Sequence, residues 1–376
     1  MRVGIIGGGA AGLFSAIHLK LMNPNFEVTI LERDSRVGKK ILATGNGKCN
    51  ITNLKASEKD YNDSKVLYAL NNFSVFDTIN YFKKLGLMIK FDSEGRCYPY
   101  SEKATTVLDV FMNMINRLKI NICTNYEVVH VKAYDDFMVY SRDYGLKHFD
   151  YLIVSTGGKS GINFNNESYN FLEYLGHTVT NLYPGLVPLK TKEKLKNLSG
   201  IRSKAKVKLL REQKLIFNTT GEVLYKEEGL SGISIMEVSR HALPGDVISL
   251  DLVYDLSDEE VTNFLKNEKN IFGLLPKMVA TEVTKRGNNL LYTLRNFSFV
   301  VEDTYGFMNS QVTKGGVSFK EVNPITFESL IVPKMYIIGE VLDVDGNSGG
   351  YNLQFAWSSA YSAAKNIIEK EVERYE

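Results

Sequence analysis

Hydrophobic positions fall in two periods along this chain, one of about 3.6 residues and one of 2, and they mark helices and strands in turn. The opening "RVGIIG" is a short apolar run with β-branched residues and predicts a buried strand. "AAGLFSAIHLKLM" has helical spacing, and "FEVTILER" is again a strand, so the chain begins with a strand–helix–strand unit of a parallel sheet. Residues 66–90 carry a helical pattern ending in "KKLGLMIKFD", with Gly86 as its C-cap. "KATTVLDVFMNMINRLK" at 103–119 predicts another helix, entered near Thr105 or Thr106. The stretch from 120 to 158 is a series of strands, the last of them apolar throughout at 151–155.

After "YPGLVPLK" (183–190) the pattern changes. Alternation as in "KAKVKLL", with turn signals at Thr220–Gly221 and Pro244–Gly245, predicts a small β-rich domain over 190–250. Residues 257–287 are helical, capped by Ser257 or Asp258 with acids in the first turn. "KMYIIGE" (334–340) is an apolar strand, and a helix starts near Tyr351.

Composition narrows the class. A chain of 376 residues is long for one core and predicts two or three domains. With 44% hydrophobic and 23% charged residues it reads as an ordinary globular protein, and a net charge of +2 argues neither for nor against an acidic partner. Cys49, Cys97 and Cys123 have no CxxC spacing, which suits a reducing compartment and argues against a disulfide scaffold or zinc site. No apolar run is long enough to span a bilayer, and a cytoplasmic location is expected. The basic stretch at 190–214 lacks interleaved aromatics, so a solvated β-domain face is expected there and no nucleic-acid partner. The five histidines form no triad or metal motif, and His177 in "LGHTV" is expected to be structural. Oligomeric state is not legible.

The chemistry lies in two glycine-rich stretches. Gly7-x-Gly9-x-x-Gly12 sits between a strand and a helix, and Glu32 ends the next strand about 20 residues on, which is the dinucleotide fingerprint. Gly7 permits the turn, Gly9 lets a pyrophosphate approach the helix N-terminus beside Ala11, and Gly12 brings helix against strand. Glu32 is expected to accept ribose hydroxyls; Arg33 beside it is a further contact candidate. NAD and FAD both fit this fingerprint; there is no second such motif, which points to one tightly held dinucleotide, and the remaining stretches favour FAD, with NADH or NADPH visiting transiently. In "VGKKILATGNGKCNITN" (37–53), Lys39 or Lys40 is placed near phosphates, and Gly45, Asn46, Cys49 and Asn50 near a ring. Val128 or Val129 backbone groups are placed at the adenine, and Thr156, Gly157 and Gly158 end a strand where backbone meets ligand.

The second stretch is "GEVLDVDGNSGGYNLQFAW" (339–357). Gly339 and Glu340 end a strand, where open α/β sheets bind ligands. Gly350 leads into a helix whose first amides, from Tyr351, Asn352 and Leu353, face the flavin N1 and C2 carbonyl, where a reduced ring carries negative charge. The two stretches grip opposite ends of one extended FAD. Tyr98, Tyr183 and Pro184 are substrate-side candidates; no catalytic acid or base is legible.

At these residues the chain resembles the bacterial NAD(P)/FAD-dependent flavoproteins that include aminoacetone oxidases and a bile-acid flavin reductase. "GKKILATGNGKCNITN" is similar to that family's Arg-Cys-Asn-x-Thr-Asn motif, with Lys48 for the usual arginine. "GRCYPYSEKA", "GHTVTNLYPGLVPL", "GEVLYKEEGLSGISI", "GGVSFKEV" and "GEVLDVDGNSGGYNLQFAWSS" match other signatures. Two departures, "GINFNNESYN" after "LIVSTGGKS" and "GLSGI" for "GLSGP", fall where loops shape substrate access. The resemblance implies an α/β fold with three parts: a discontinuous Rossmann-type FAD-binding domain at 1–188 and 315–376, an inserted β-rich domain at 189–255 and 298–314, and a small helical domain at 256–297. It implies an FAD-dependent oxidoreductase moving hydride between a small molecule and FAD. An NAD(P)H-linked reductase is the first expectation, an amine oxidase using O2 the second, and a non-catalytic flavin-binding protein the third.

Overall fold

The computed structural model describes residues 1–161, 167–267 and 271–374. Half of the departure at 161–170, residues 162–166, thus falls outside the described residues. The chain divides into two compact units, residues 1–183 with 312–376, and residues 184–311.

The first unit is built on a five-stranded parallel sheet of β1 (Arg2–Ile6), β2 (Glu27–Leu31), β3 (Asn121–Cys123), β4 (Tyr151–Val154) and β5 (Met335–Ile337). Its order is β5-β4-β1-β2-β3, with Gly4 opposite Leu152 on one side and Thr29 on the other. The central strands are apolar on both faces, as a parallel sheet covered on both sides requires. Helix α1 (Ala10–Met22) follows β1, and the last helix, α2 (Tyr351–Glu373), packs beside it. Their contact is aromatic: Phe14 lies 5.7 Å from Trp357 and His18 4.6 Å from Tyr361, between ring centroids.

The pattern at 66–90 resolves into two helices, Val66–Asn72 and Val75–Lys84. Ser74 breaks them: its hydroxyl accepts from the Asp77 amide while the Asp77 carboxylate takes the Ser74 amide. That reciprocal cap restarts a helix inside one apolar repeat. Of the series at 120–158, the outer strands enter the parallel sheet, while Val128–Ala133, Phe137–Ser141 and Gly145–Phe149 form a separate antiparallel sheet.

The second unit holds a closed six-stranded barrel. Its strand order is Leu189–Thr191, Gly229–Ser231, Lys214–Lys226, Arg202–Arg211, Val247–Asp251 and Phe297–Thr304. On Arg202–Arg211 the side chains alternate, with Ala205, Val207 and Leu209 buried and Lys204 and Lys206 exposed. The helices Asp258–Asn267, Lys277–Arg286 and Leu290–Arg295 share the barrel's apolar core through Val261, Val279, Val283 and Leu294. No helix among the described residues is long and apolar enough to cross a membrane.

Candidate functional site

Everything expected to hold the dinucleotide lies in the first unit. Gly7 has φ +100°, and a Cβ there would stand 2.5 Å from the Ser155 carbonyl oxygen. A Cβ on Gly12 would be 2.0 Å from the Gly7 carbonyl oxygen, so α1 starts close against β1 only because both are glycine. Gly9 differs: a Cβ there would meet nothing within 4 Å. The space above the start of α1 is open on that side, as a pyrophosphate seat must be.

The Glu32 carboxylate hangs over this turn. It accepts from the Gly8 amide at 2.7 Å and the Asp34 amide at 2.8 Å. Burial raises its pKa, and those two amides pull the other way. Its position at the end of β2 suits an acceptor of ribose hydroxyls. Arg33 is half-buried beside it. Val128 is buried at the start of its strand, where pairing with the next strand slips before His130.

Thr156, Gly157 and Gly158 follow β4. The Thr156 hydroxyl is buried with no hydrogen-bond partner among the described residues, although buried polar groups are nearly always paired. Gly157 has φ +71°, and a Cβ on Gly158 would press to 2.5 Å from the Thr313 hydroxyl. Thr313 is the hub here, taking the Lys159 and Ser160 amides at 2.7 and 3.1 Å. Lys40 does not stand free for phosphates. Its ammonium pairs with Glu340 at 2.5 Å, across 300 positions of sequence. Glu340 also accepts from the amides of Thr313 at 3.0 Å and Gly158 at 3.3 Å. Next to it, a Cβ on Gly339 would lie 3.1 Å from that of Ala11, so the two glycine stretches touch.

The loop at 44–50 has a left-handed backbone at Gly45, Asn46, Gly47 and Cys49, of which Asn46 (φ 54°) and Cys49 (φ 56°) are not glycine. Such residues each cost roughly 1–3 kcal/mol, and they gather at ligand sites. Cys49 is fully buried, and burial pushes its thiol up to about 11, so it is a neutral packing group. Asn50 ends the loop with its side-chain oxygen buried and without a hydrogen-bond partner among the described residues.

Helix α2 begins at this oxygen. Gly350, the N-cap, has φ +104°, and a Cβ there would lie 2.9 Å from the Asn50 side-chain oxygen and 2.6 Å from the Thr52 carbonyl. Asn53 donates to the Gly349 carbonyl at 3.0 Å and Tyr61 to the Tyr351 carbonyl at 2.8 Å. The Asn352 side chain is committed to the loop before the helix: it accepts from the Gly346 amide and donates to the carbonyls of Gly346 and Asn347. Asn352 and Leu353 therefore offer a ligand backbone from the first turn of α2. Two orphaned polar atoms, an open seat over α1 and a carboxylate at the ribose position together fit an FAD.

Of the substrate-side candidates, Tyr98 lines a cleft with Gly45 and Asn46. Tyr183 is 56% exposed, and Pro184 opens the other unit. His177 is buried between Glu321 at 3.3 Å and Ser329 at 3.0 Å, a structural brace. Thr52, Asn53, Thr313 and Arg96 were not legible as site residues, because their roles depend on pairings between distant segments. Thr52 and Asn53 stand in the quoted "CNITN" run and Arg96 in "GRCYPYSEKA", so three of the four lie in motifs whose side-chain roles the sequence did not disclose.

A family model described as the HI0933-like protein Rossmann domain matches residues 1–366. A 3-dehydro-bile acid delta(4,6)-reductase of Clostridium scindens is 31% identical, covering 98% of this chain and 99% of that protein. A ribosomal RNA dihydrouridine synthase of Haemophilus influenzae is 30% identical, covering 96% of this chain and 97% of that protein. Among solved structures, the 3-ketosteroid delta1-dehydrogenase of Sterolibacterium denitrificans shares the fold with a TM-score of 0.53 at 12% identity, covering 98% of this chain and 99% of that one. The chain is an FAD-dependent oxidoreductase.

Proposed function

This chain belongs to the HI0933-like Rossmann family, and from that premise we propose an NAD(P)H-linked reductase that saturates a carbon–carbon double bond conjugated with a carbonyl group. One observation carries the reading. Two relatives aligned over nearly their whole length bear names for the same bond chemistry on unlike molecules. One reduces the delta(4,6) system of a 3-dehydro bile acid; the other turns uridine into dihydrouridine in RNA. Both acceptors are ring systems with an electron-poor double bond, and both are anions, through a carboxylate or through phosphates.

Bound FAD supplies hydride transfer. The residues around it hold and bias it. Gly9 and the start of α1 seat the pyrophosphate, and Glu32 takes ribose hydroxyls. The Asn50 side-chain oxygen accepts from a ring N–H, and the start of α2 favours negative charge on the ring. The sequence has a single dinucleotide turn, so the nicotinamide visits rather than resides.

The test is anaerobic stopped-flow bleaching of the flavin by NADH, NADPH and aminoacetone in separate mixes. Reoxidation then follows with a 3-oxo-4,6-diene bile acid or uridine-bearing ribosomal RNA. Bleaching by a nicotinamide and reoxidation by one of the acceptors is expected. Bleaching by aminoacetone alone would install the oxidase, and no bleaching by any donor would favour a non-catalytic flavin protein.

A further inference from the structure

A cleft of about 280 Å³ opens beside the loop at 44–50, lined by Lys48, Lys90, Arg96 and Tyr98 among others. It adjoins the ring end of the cofactor site. Gly45 and Asn46 form part of its wall, and the same loop ends at Asn50, against Gly350. The Arg96 stem passes the other glycine of that pair, its Cδ 3.8 Å from where a Cβ on Gly349 would stand.

Charge in the cleft is unbalanced. Three cations face two carboxylates, Asp92 and Glu102. Asp92 binds Arg96 only through Nε, at 2.8 Å, and is itself fixed by the amides of Glu94 and Arg96. The guanidinium plane is thereby set while its two terminal nitrogens have no partner among the described residues. A fixed fork with free ends matches a carboxylate or phosphate. Glu102 is shared by Lys48 at 3.5 Å and Lys90 at 3.4 Å, a loose and exposed arrangement that an incoming anion displaces at little cost.

We propose that this cleft is a subsite for an anionic group, carboxylate or phosphate, carried by the molecule that the flavin reduces. The substrate half of this statement rests on the reading above; the anion site itself does not. Arg96 and Lys48 supply the charge-assisted bonds, Lys90 adds field, and Glu102 occupies the two lysines until the anion arrives.

The test uses oxidised, FAD-loaded protein and needs no turnover. Inorganic phosphate and acetate are titrated separately, and the flavin absorption band is followed. A saturable shift is expected with at least one probe. Phosphate alone would assign the site to a phosphate, acetate alone to a carboxylate, and both to either. Arg96→Gln and Lys48→Gln should each weaken the effective probe about tenfold, one charge-assisted bond's worth. Glu102→Gln should tighten it severalfold, a change of opposite sign that misfolding cannot imitate. Absence of a saturable shift with both probes, or a Glu102→Gln variant that binds no tighter, would overturn the subsite. A protein that binds the probes but is bleached by no nicotinamide would instead overturn the reductase.

Discussion

The two glycine turns look alike in sequence, each a glycine cluster ahead of a helix, yet they are glycine for different reasons. At Gly9 the missing side chain leaves open space. At Gly350 the space is already taken by the chain's own Thr52 carbonyl and Asn50 side chain, and the backbone is left-handed. In the first turn only Gly9 leaves room for a ligand, since Gly7 and Gly12 are held by close backbone contact. The second is shaped first for packing, and it places the start of α2 where a ring can meet it. Glycine in a binding motif is therefore not by itself a mark of ligand contact.

The comparison breaks most decisively at Gly350. Gly350→Ala should destabilise the FAD-free protein by more than about 3 kcal/mol, from a left-handed Cβ and overlap with fixed backbone. Denaturant unfolding of the apoprotein checks this, and unfolding at the wild-type midpoint would show that Thr52 moves aside freely.

Acid is the next probe, because His18 on α1 and Tyr361 on α2 tie the helices of the two turns together. Burial lowers the His18 pKa to about 4 from an ordinary 6.5. The unfolded chain thus binds the proton first as pH falls. The stabilisation is complete above pH 6.5 and drains away as pH drops toward 4, by at most about 3 kcal/mol. His18→Phe should flatten that limb of the stability–pH profile.

Glu32→Ala should weaken FAD binding by about 1.5–3 kcal/mol, the value of a hydrogen bond to a charged group. Titration of apoprotein with FAD measures it, and unchanged affinity would remove Glu32 from the ribose. The smallest effect on the fold is expected at Gly9. Gly9→Ala should leave apoprotein stability within about 0.5 kcal/mol while costing on the order of tenfold in FAD affinity. If it unfolds as readily as Gly350→Ala, the two turns are alike after all.

Local signals made much of this legible. The parallel sheet followed from apolar, β-branched runs at 2–6, 27–31 and 151–154, and the fingerprint from three glycines and one acid at set distances. What stayed hidden depends on partners far away in sequence. Periodicity showed strands at 190–250 but not that Leu189–Thr191 meets Phe297–Thr304 to close a barrel. The pattern at 66–90 concealed the break at Ser74, since both helices bury one continuous apolar stripe. The pairing of Lys40 with Glu340 stayed hidden because nothing near Lys40 in the sequence announces that partner. The cleft cations Lys90 and Arg96 sit in a short strand pair, and although Arg96 and Tyr98 lie in a quoted signature, only the pairing sets Tyr98 beside Lys90.

The pairing of Lys40 with Glu340, and of Asn53 with Gly349, has a bearing on how the protein is made. During synthesis the early strands and α1 emerge long before the segment that completes the pocket. Loops of this length close slowly and late. A nascent chain carries a dinucleotide turn with nothing yet to cover the ring, and it must wait through the whole barrel unit. Stable capture of the flavin then becomes a report that the last helix has docked, so yellow colour in a truncation series should appear only once α2 is present.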